Sequence, residues 1–85
     1  MTKILVTGAL GQIGSELTAA LKKIYGNDNV VTSDIRDGDI AEEFLPYEKL
    51  NVLDKPRLCE IIKKHDITII YHLAAAANII LIQQA

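Results

Sequence analysis

Apolar positions along the chain change their spacing several times, and each change marks the start of a new predicted element. The run Lys3–Thr7 (KILVT) is apolar and ends at Gly8, which is typical of a strand buried on both faces. From Gln12 to Tyr25 apolar residues recur at intervals of three or four, which predicts a helix. The expected buried stripe of this helix consists of Ile13, Leu17, Leu21 and Ile24.

The rest of the chain contains three more strand patterns and one more helix pattern. The predicted strands are Val30–Asp34, Lys49–Val52 and Thr68–Leu73, and the predicted helix is Lys55–His65. Asp54 stands where a helix N-cap is expected. The stretch 35–47 contains Gly38 and Pro46 and is predicted to be mostly irregular.

Strands and helices therefore alternate, which implies a parallel sheet with right-handed crossovers. We expect an α/β fold, a half Rossmann fold with about four strands in the order 3-2-1-4 and helices on both faces. A chain of 85 residues forms one domain at most, and we assign it to residues 1–77. Residues 78–85 (NIILIQQA) form an apolar tail for which a buried helix, an extra strand and an interface patch all remain open.

Composition narrows the possible functions. The net charge is −2 and no basic stripe is present, which argues against nucleic-acid binding. No apolar run approaches the roughly 18 residues that span a membrane. The single cysteine, Cys59, excludes an internal disulfide and favours a cytoplasmic location. Together with His65 and His72 it lacks the spacing of a zinc site, so we expect no metal.

The stretch VTGALGQIGSEL carries the candidate chemistry. Gly8, Gly11 and Gly14 follow a predicted strand and open a predicted helix. A pyrophosphate needs close backbone approach and the free N–H groups of a helix N-terminus, here those of Gln12 and Ile13. The alternative is a tight strand-to-helix turn without a ligand.

An acidic residue favours the ligand interpretation. Asp34 ends the second predicted strand, 20 residues after Gly14, where a carboxylate accepts both hydroxyls of an adenosine ribose. Its charge would repel a 2′-phosphate, which predicts NAD rather than NADP. Arg36 complicates this prediction, because an arginine nearby can accommodate that phosphate.

The pieces ILVTGALGQIG, SDIR, NVLD and IIYHLAA together resemble the extended short-chain dehydrogenase/reductase family, also called NAD-dependent epimerases/dehydratases. The glutamine in GQIG is similar to the L-threonine 3-dehydrogenase branch of that family. The resemblance spans residues 3–76 and implies a Rossmann fold with bound NAD. The cofactor-binding residues that it implies are Gly8, Gly11, Gln12, Ile13, Gly14, Asp34, Ile35, Arg36, Val52, Leu53, Asp54, Leu73, Ala74 and Ala75.

The catalytic part of the family pattern is absent. The family uses Tyr-x-x-x-Lys, but the residues four positions after Tyr25, Tyr47 and Tyr71 are Asn29, Asn51 and Ala75. We therefore expect no catalytic residue here and no activity from this chain alone. It resembles the N-terminal half of such an enzyme, as a truncated or engineered fragment. The alternatives are a piece of a sugar-nucleotide epimerase or dehydratase, or a minimal fold with a vestigial site.

A sheet that stops at its fourth strand leaves an edge unpaired. The N–H and C=O groups of such an edge can pair with another chain. We therefore expect a homo-oligomer formed through the fourth strand or the apolar tail.

Overall fold

The computed structural model of the protein describes residues 2–73 and 80–83. The strands are β1 (Ile4–Thr7), β2 (Val30–Asp34), β3 (Tyr47–Lys49), β4 (Ile69–His72) and β5 (Ile80–Gln83). The helices are α1 (Gln12–Tyr25) and α2 (Lys55–His65), and two short 3-10 turns cover Asn27–Asn29 and Glu42–Phe44. Neither α1 nor α2 combines the length and the apolar composition needed to cross a membrane.

The sheet has the predicted parallel core. Its strand order is β3-β2-β1-β4-β5, and β1 pairs in parallel with both β2 and β4. β2 also pairs in parallel with β3. The expected order 3-2-1-4 is therefore confirmed, and the carboxyl ends of the parallel strands meet at one edge.

Alternate residues of β1 face two separate cores, one on each side of the sheet. Leu5 packs with Val31, Ile61 and Ile70 on the side of α2. Ile4 and Val6 pack with Val30, Leu21 and the half-buried Leu17 on the side of α1. Burial of β1 on both faces explains why its sequence is an uninterrupted apolar run.

Two expectations about local structure were wrong. β3 lies at Tyr47–Lys49 rather than Lys49–Val52, because its register is set by pairing with the last three residues of β2. In α1, Leu21 is buried and Leu17 half-buried, but Ile13 and Ile24 are 56% and 71% exposed. Only the middle of the predicted stripe packs on the sheet, and its two ends stay exposed.

The apolar tail contains a strand. β5 runs antiparallel to β4, with Tyr71 opposite Leu81 and His72 opposite Ile80. Of the three possibilities left open by the sequence, the extra strand is the one adopted by residues 80–83. The expectation of an unpaired β4 edge was therefore wrong, because β5 occupies that edge.

Candidate functional site

The turn after β1 brings the chain from the sheet into α1. Gly8 has a φ of 67°, a left-handed conformation that favours glycine. Gly11 is the N-cap of α1 and brings no side-chain acceptor to the helix. Because the first N–H groups of an α-helix have no acceptor within the helix, those of Gln12 and Ile13 remain available to an external one.

Gly14 serves the packing of this turn. It is buried, and a Cβ at this position would lie 2.3 Å from the carbonyl oxygen of Gly8 and 2.7 Å from the Cα of Ala9. No side chain fits such a distance. Gly14 therefore allows the first turn of α1 to pack closely against the end of β1.

Asp34 connects the end of β2 to the glycine turn. Its carboxylate accepts hydrogen bonds from the backbone N–H groups of Leu10, at 3.0 Å, and Ile35, at 2.7 Å. A carboxylate has about four acceptor positions, so about two remain for a ligand. The backbone of β2 also receives a bond from the turn, since Ala9 N–H donates to the Ser33 carbonyl at 3.1 Å.

The end of β4 is joined to β1 by a small polar cluster. Thr7 Oγ1 lies 2.8 Å from His72 Nδ1 and accepts a hydrogen bond from the Leu73 N–H at 3.1 Å. With that N–H donating to it, the Thr7 hydroxyl is free to donate to His72 Nδ1. His72 is thus a hydrogen-bonded residue at the end of β4.

These strand ends enclose an open cleft of about 710 Å³. Its lining residues come from four separate parts of the chain and are Gly8, Gly11, Asp34, Ile35, Leu50, Asn51, Val52, Leu53, His72 and Leu73. Seven of these are predicted site residues. Their convergence follows from the parallel strands, whose carboxyl ends lie at one edge of the sheet.

Five predicted site residues do not line the cleft. Gln12 and Ile13 lie exposed at the start of α1, and Gly14 is buried beneath the turn. Arg36 is exposed on the loop after β2, and Asp54 caps α2 by accepting a hydrogen bond from Arg57 N–H at 3.1 Å. Two further predicted residues, Ala74 and Ala75, lie outside the described residues.

Sequence reasoning did not assign three cleft residues to the site. Leu50 is 2% exposed and forms part of the floor. Asn51 accepts a hydrogen bond from the Leu53 N–H at 2.9 Å and so shapes the following turn. An asparagine side chain can accept from the backbone N–H two residues further on, and this turn preference of Asn51 is the signal that could have identified the turn. The sequence favoured a core or strand-end role for His72 and did not assign it to the site.

The cleft combines three features that suit a dinucleotide. Gly8 and Gly11 line one end, next to the N-terminus of α1, whose first N–H groups have no acceptor within the helix. A carboxylate with unused acceptor positions stands in the middle. Exposed apolar side chains, Ile35 at 69% and Leu53 at 85%, flank it and can cover a planar base. A phosphate, a ribose and an aromatic base are the chemical groups that these features accept.

Comparison with known proteins gives a consistent family. Residues 4–81 match the family described as the NAD dependent epimerase/dehydratase family. An uncharacterized epimerase/dehydratase from Staphylococcus aureus is 43% identical over 77 residues, which cover 88% of this chain and 24% of that protein.

Solved structures agree with the sequence match. An L-threonine dehydrogenase from Cupriavidus necator, in its holo form, has a TM-score of 0.80 and 47% identity over 87% of this chain. The L-threonine dehydrogenase from Clostridium difficile has a TM-score of 0.79 and 49% identity over 89% of this chain. Each match covers 24% of the solved chain, so the present chain spans about a quarter of the proteins that it matches.

Proposed function

The chain belongs to the NAD dependent epimerase/dehydratase family, and on that premise we propose that it binds NAD through the adenosine and pyrophosphate half of the cofactor. The observation that carries this proposal is the cleft itself. It unites the glycine turn, the Asp34 carboxylate and two exposed apolar side chains at one edge of the sheet.

The pyrophosphate is assigned to the glycine turn. The N–H groups of Gln12 and Ile13 point out of the α1 N-terminus, where the helix dipole favours negative charge. Gly11 permits close approach, because its missing side chain leaves the backbone open. Gly8 and Gly14 support this surface by allowing the turn and its packing on β1.

The adenosine is assigned to the other half of the cleft. The two free acceptor positions of Asp34 suit the two hydroxyls of a ribose, with Ile35 and Arg36 beside them. Adenine is assigned to the space between Ile35 and the Asn51–Asp54 turn, which contributes Val52, Leu53 and Asp54. Leu73 belongs to the far wall in this proposal. Ala74 and Ala75 follow it in the sequence and remain cofactor contacts expected from the family resemblance.

NAD is preferred over NADP in this arrangement. The Asp34 carboxylate lies where a 2′-phosphate would come, and two negative charges at that distance repel each other. Arg36 is exposed and its carbonyl, rather than its side chain, is held by Tyr47 Oη at 2.6 Å. Its exposed guanidinium compensates only part of the repulsion.

The chain alone is proposed to bind without turnover. Bound NAD supplies a hydride acceptor, but none of the three tyrosines of this sequence has a lysine four residues later. The likeness to L-threonine dehydrogenases favours a role as the cofactor-binding part of such an oxidoreductase. A sugar-nucleotide epimerase or dehydratase is the second candidate, and the Staphylococcus aureus relative, described as an epimerase/dehydratase, favours that reaction class. The free thiol of Cys59 fits the cytoplasm as the location.

Calorimetric titration of the purified chain with NAD, AMP and NADP tests the binding proposal. We expect a Kd for NAD of about 10 μM to 1 mM, close to that for AMP, because only half of the cofactor is contacted. NADP should bind more weakly than NAD. Absence of saturable binding for all three ligands would show that the glycine turn has a structural role only.

A second measurement tests the absence of turnover. NAD reduction is followed at 340 nm with L-threonine as the added substrate, and with a full-length L-threonine dehydrogenase as the positive control. We expect no NADH from the chain alone. Threonine-dependent NADH formation would contradict the proposal and would require an acid/base group other than a Tyr-x-x-x-Lys pair.

A further inference from the structure

One side of α1 carries apolar residues that no described element covers. Ile13, Leu17, Ala20 and Ile24 lie within about 60° of one another around the helix axis, at 100° per residue. We call these four residues the outer stripe. Ile13, Ala20 and Ile24 are exposed, while Leu17 is half-buried and also contacts the core under α1.

Charged residues border the outer stripe on the side away from the sheet. Glu16 and Lys23 are both exposed and stand seven residues apart on the same flank of α1. Among the described residues, neither of them takes part in an ion pair. The positions where a helical partner for them would stand, three or four residues away along this flank, are the alanines Ala19 and Ala20.

We propose that the outer stripe binds a second copy of this chain, with the two α1 helices packed antiparallel about a two-fold axis. The stripe is symmetric about a point between residues 18 and 19. In such a pair Ile13 faces the Ile24 position of the other copy, and Leu17 faces its Ala20 position. The small side chain of Ala20 accommodates the larger leucine, and a two-fold axis repeats each contact twice.

Charge decides the orientation. In an antiparallel pair equal flanks face each other, so Glu16 of each copy lies opposite Lys23 of the other copy. The axial offset between the paired positions is about 3 Å, which both long side chains can span. In a parallel pair this flank would meet the opposite flank of the other helix, where Leu21 is buried against the sheet.

The interface is small. One helix face contributes less than the roughly 1,200 Å² of a standard interface, so a weak dimer is expected. Analytical ultracentrifugation of the full 85-residue chain should give a monomer–dimer equilibrium with a Kd of about 10–500 μM. A chain that stays monomeric at about 1 mM would overturn the proposal, and the outer stripe would then be left to another partner.

Charge variants test the pairing. Glu16→Lys or Lys23→Glu alone should raise the dimer Kd about tenfold, because each change creates two repulsive contacts. The combined variant Glu16→Lys/Lys23→Glu should return to within about threefold of the original Kd. Lys55→Glu is the matched control for Lys23→Glu, since it makes the same charge change at an exposed position of α2. Equal Kd values for all four variants would overturn the proposal.

Cross-linking tests the orientation independently of any loss of stability. The exposed thiol of Cys59 is first removed by Cys59→Ser. Chains carrying Ile13→Cys and Ile24→Cys are then mixed and oxidised. Disulfides between residues 13 and 24 support the antiparallel pair, whereas disulfides mainly between equal positions contradict it. Helical circular dichroism of each variant establishes that the chains compared are folded.

Discussion

At the scale of single residues, the three glycines of the turn meet three different physical demands. Gly8 adopts a left-handed φ of 67°. A Cβ on Gly14 would collide with the backbone of Gly8 and Ala9. A Cβ on Gly11 would meet only the Gly8 carbonyl oxygen, at an ordinary 3.6 Å. At the start of α1 the protein therefore has room for a methyl group on Gly11 but not on Gly14.

This difference predicts that alanine at Gly14 mainly affects stability, whereas alanine at Gly11 mainly affects NAD binding. Gly14→Ala should lower the free energy of unfolding by about 1–3 kcal/mol, because overpacking displaces α1. Gly11→Ala should change the free energy of unfolding by less than about 1 kcal/mol. It should nevertheless weaken the binding of NAD, because the added methyl group faces the proposed pyrophosphate. Urea denaturation and calorimetric titration separate the two effects. Unchanged NAD affinity in folded Gly11→Ala would contradict the assignment of the pyrophosphate.

Asp34 has a structural and a proposed ligand-binding role at once. Its carboxylate holds the N–H groups of Leu10 and Ile35, so an alanine would disturb the turn as well as the site. Asparagine has nearly the same shape and retains one carbonyl oxygen. It is therefore the substitution that removes charge with the least loss of structure.

We expect Asp34→Asn to weaken NAD binding by about 1–3 kcal/mol. The difference in affinity between NAD and NADP should become smaller. Lost ribose hydrogen bonds explain the first effect and lost repulsion the second. Titration with both cofactors, beside thermal unfolding of the free protein, provides the measurement. A variant with unchanged NAD affinity would remove Asp34 from the proposed site.

At the scale of elements, a charge network joins β3 to α2. The Glu48 side chain is 12% exposed. Its carboxylate lies 2.9 Å from Arg57 Nη2, 2.9 Å from Lys64 Nζ and 2.6 Å from His65 Nε2. Burial opposes ionisation of this carboxyl, but the hydrogen bonds from His65, Lys64 and Arg57 outweigh it and hold the pKa of Glu48 at about 2. The network ties the short edge strand to the helix beneath it.

This lowered pKa predicts acid sensitivity. Glu48 binds its proton less readily in the folded chain than in the unfolded one, so its contribution is complete above pH 4.5 and is lost as the pH falls towards 2. The contribution is about 3 kcal/mol. Glu48→Gln should be less stable than the original chain at pH 7, and the two should converge near pH 2. Parallel stability curves from pH 7 to pH 2 would contradict this origin.

At the scale of the whole molecule, β5 changes what the sheet presents to other chains. It pairs antiparallel with β4, so the edge that we expected to be open is covered by the chain itself. An association through β4 would first require β5 to leave. An oligomer through the tail remains a prediction, and the outer stripe of α1 provides a separate route.

Shortening the chain tests the covering role of β5. A chain ending at residue 77 should associate more strongly than a chain ending at residue 83, because the unpaired groups of β4 then meet another chain. Both are best compared in the Glu16→Lys background, so that association through α1 is weakened in each. Light scattering after size-exclusion chromatography measures the masses. Equal molar masses for the two chains would show that β5 does not prevent association through the β4 edge.

The sequence by itself determined the elements that depend on local patterns. The helical period set the bounds of α1 and α2, the apolar runs located β1, β2 and β4, and Asp54 marked the cap of α2. Alternation of these elements, with the handedness of crossovers, was enough to predict the order 3-2-1-4. These features follow from properties of neighbouring residues.

Only the tertiary structure decided what depends on contacts between distant residues. β3 starts at Tyr47 because its pairing with β2 sets the register, and no local pattern contains that information. The spacing of apolar residues along a helix does not show which of them another element will cover. The exposure of Ile13 and Ile24 was therefore not predictable from the sequence. Likewise Leu50, Asn51 and His72 line the cleft because parallel strands bring their ends together from separate parts of the chain.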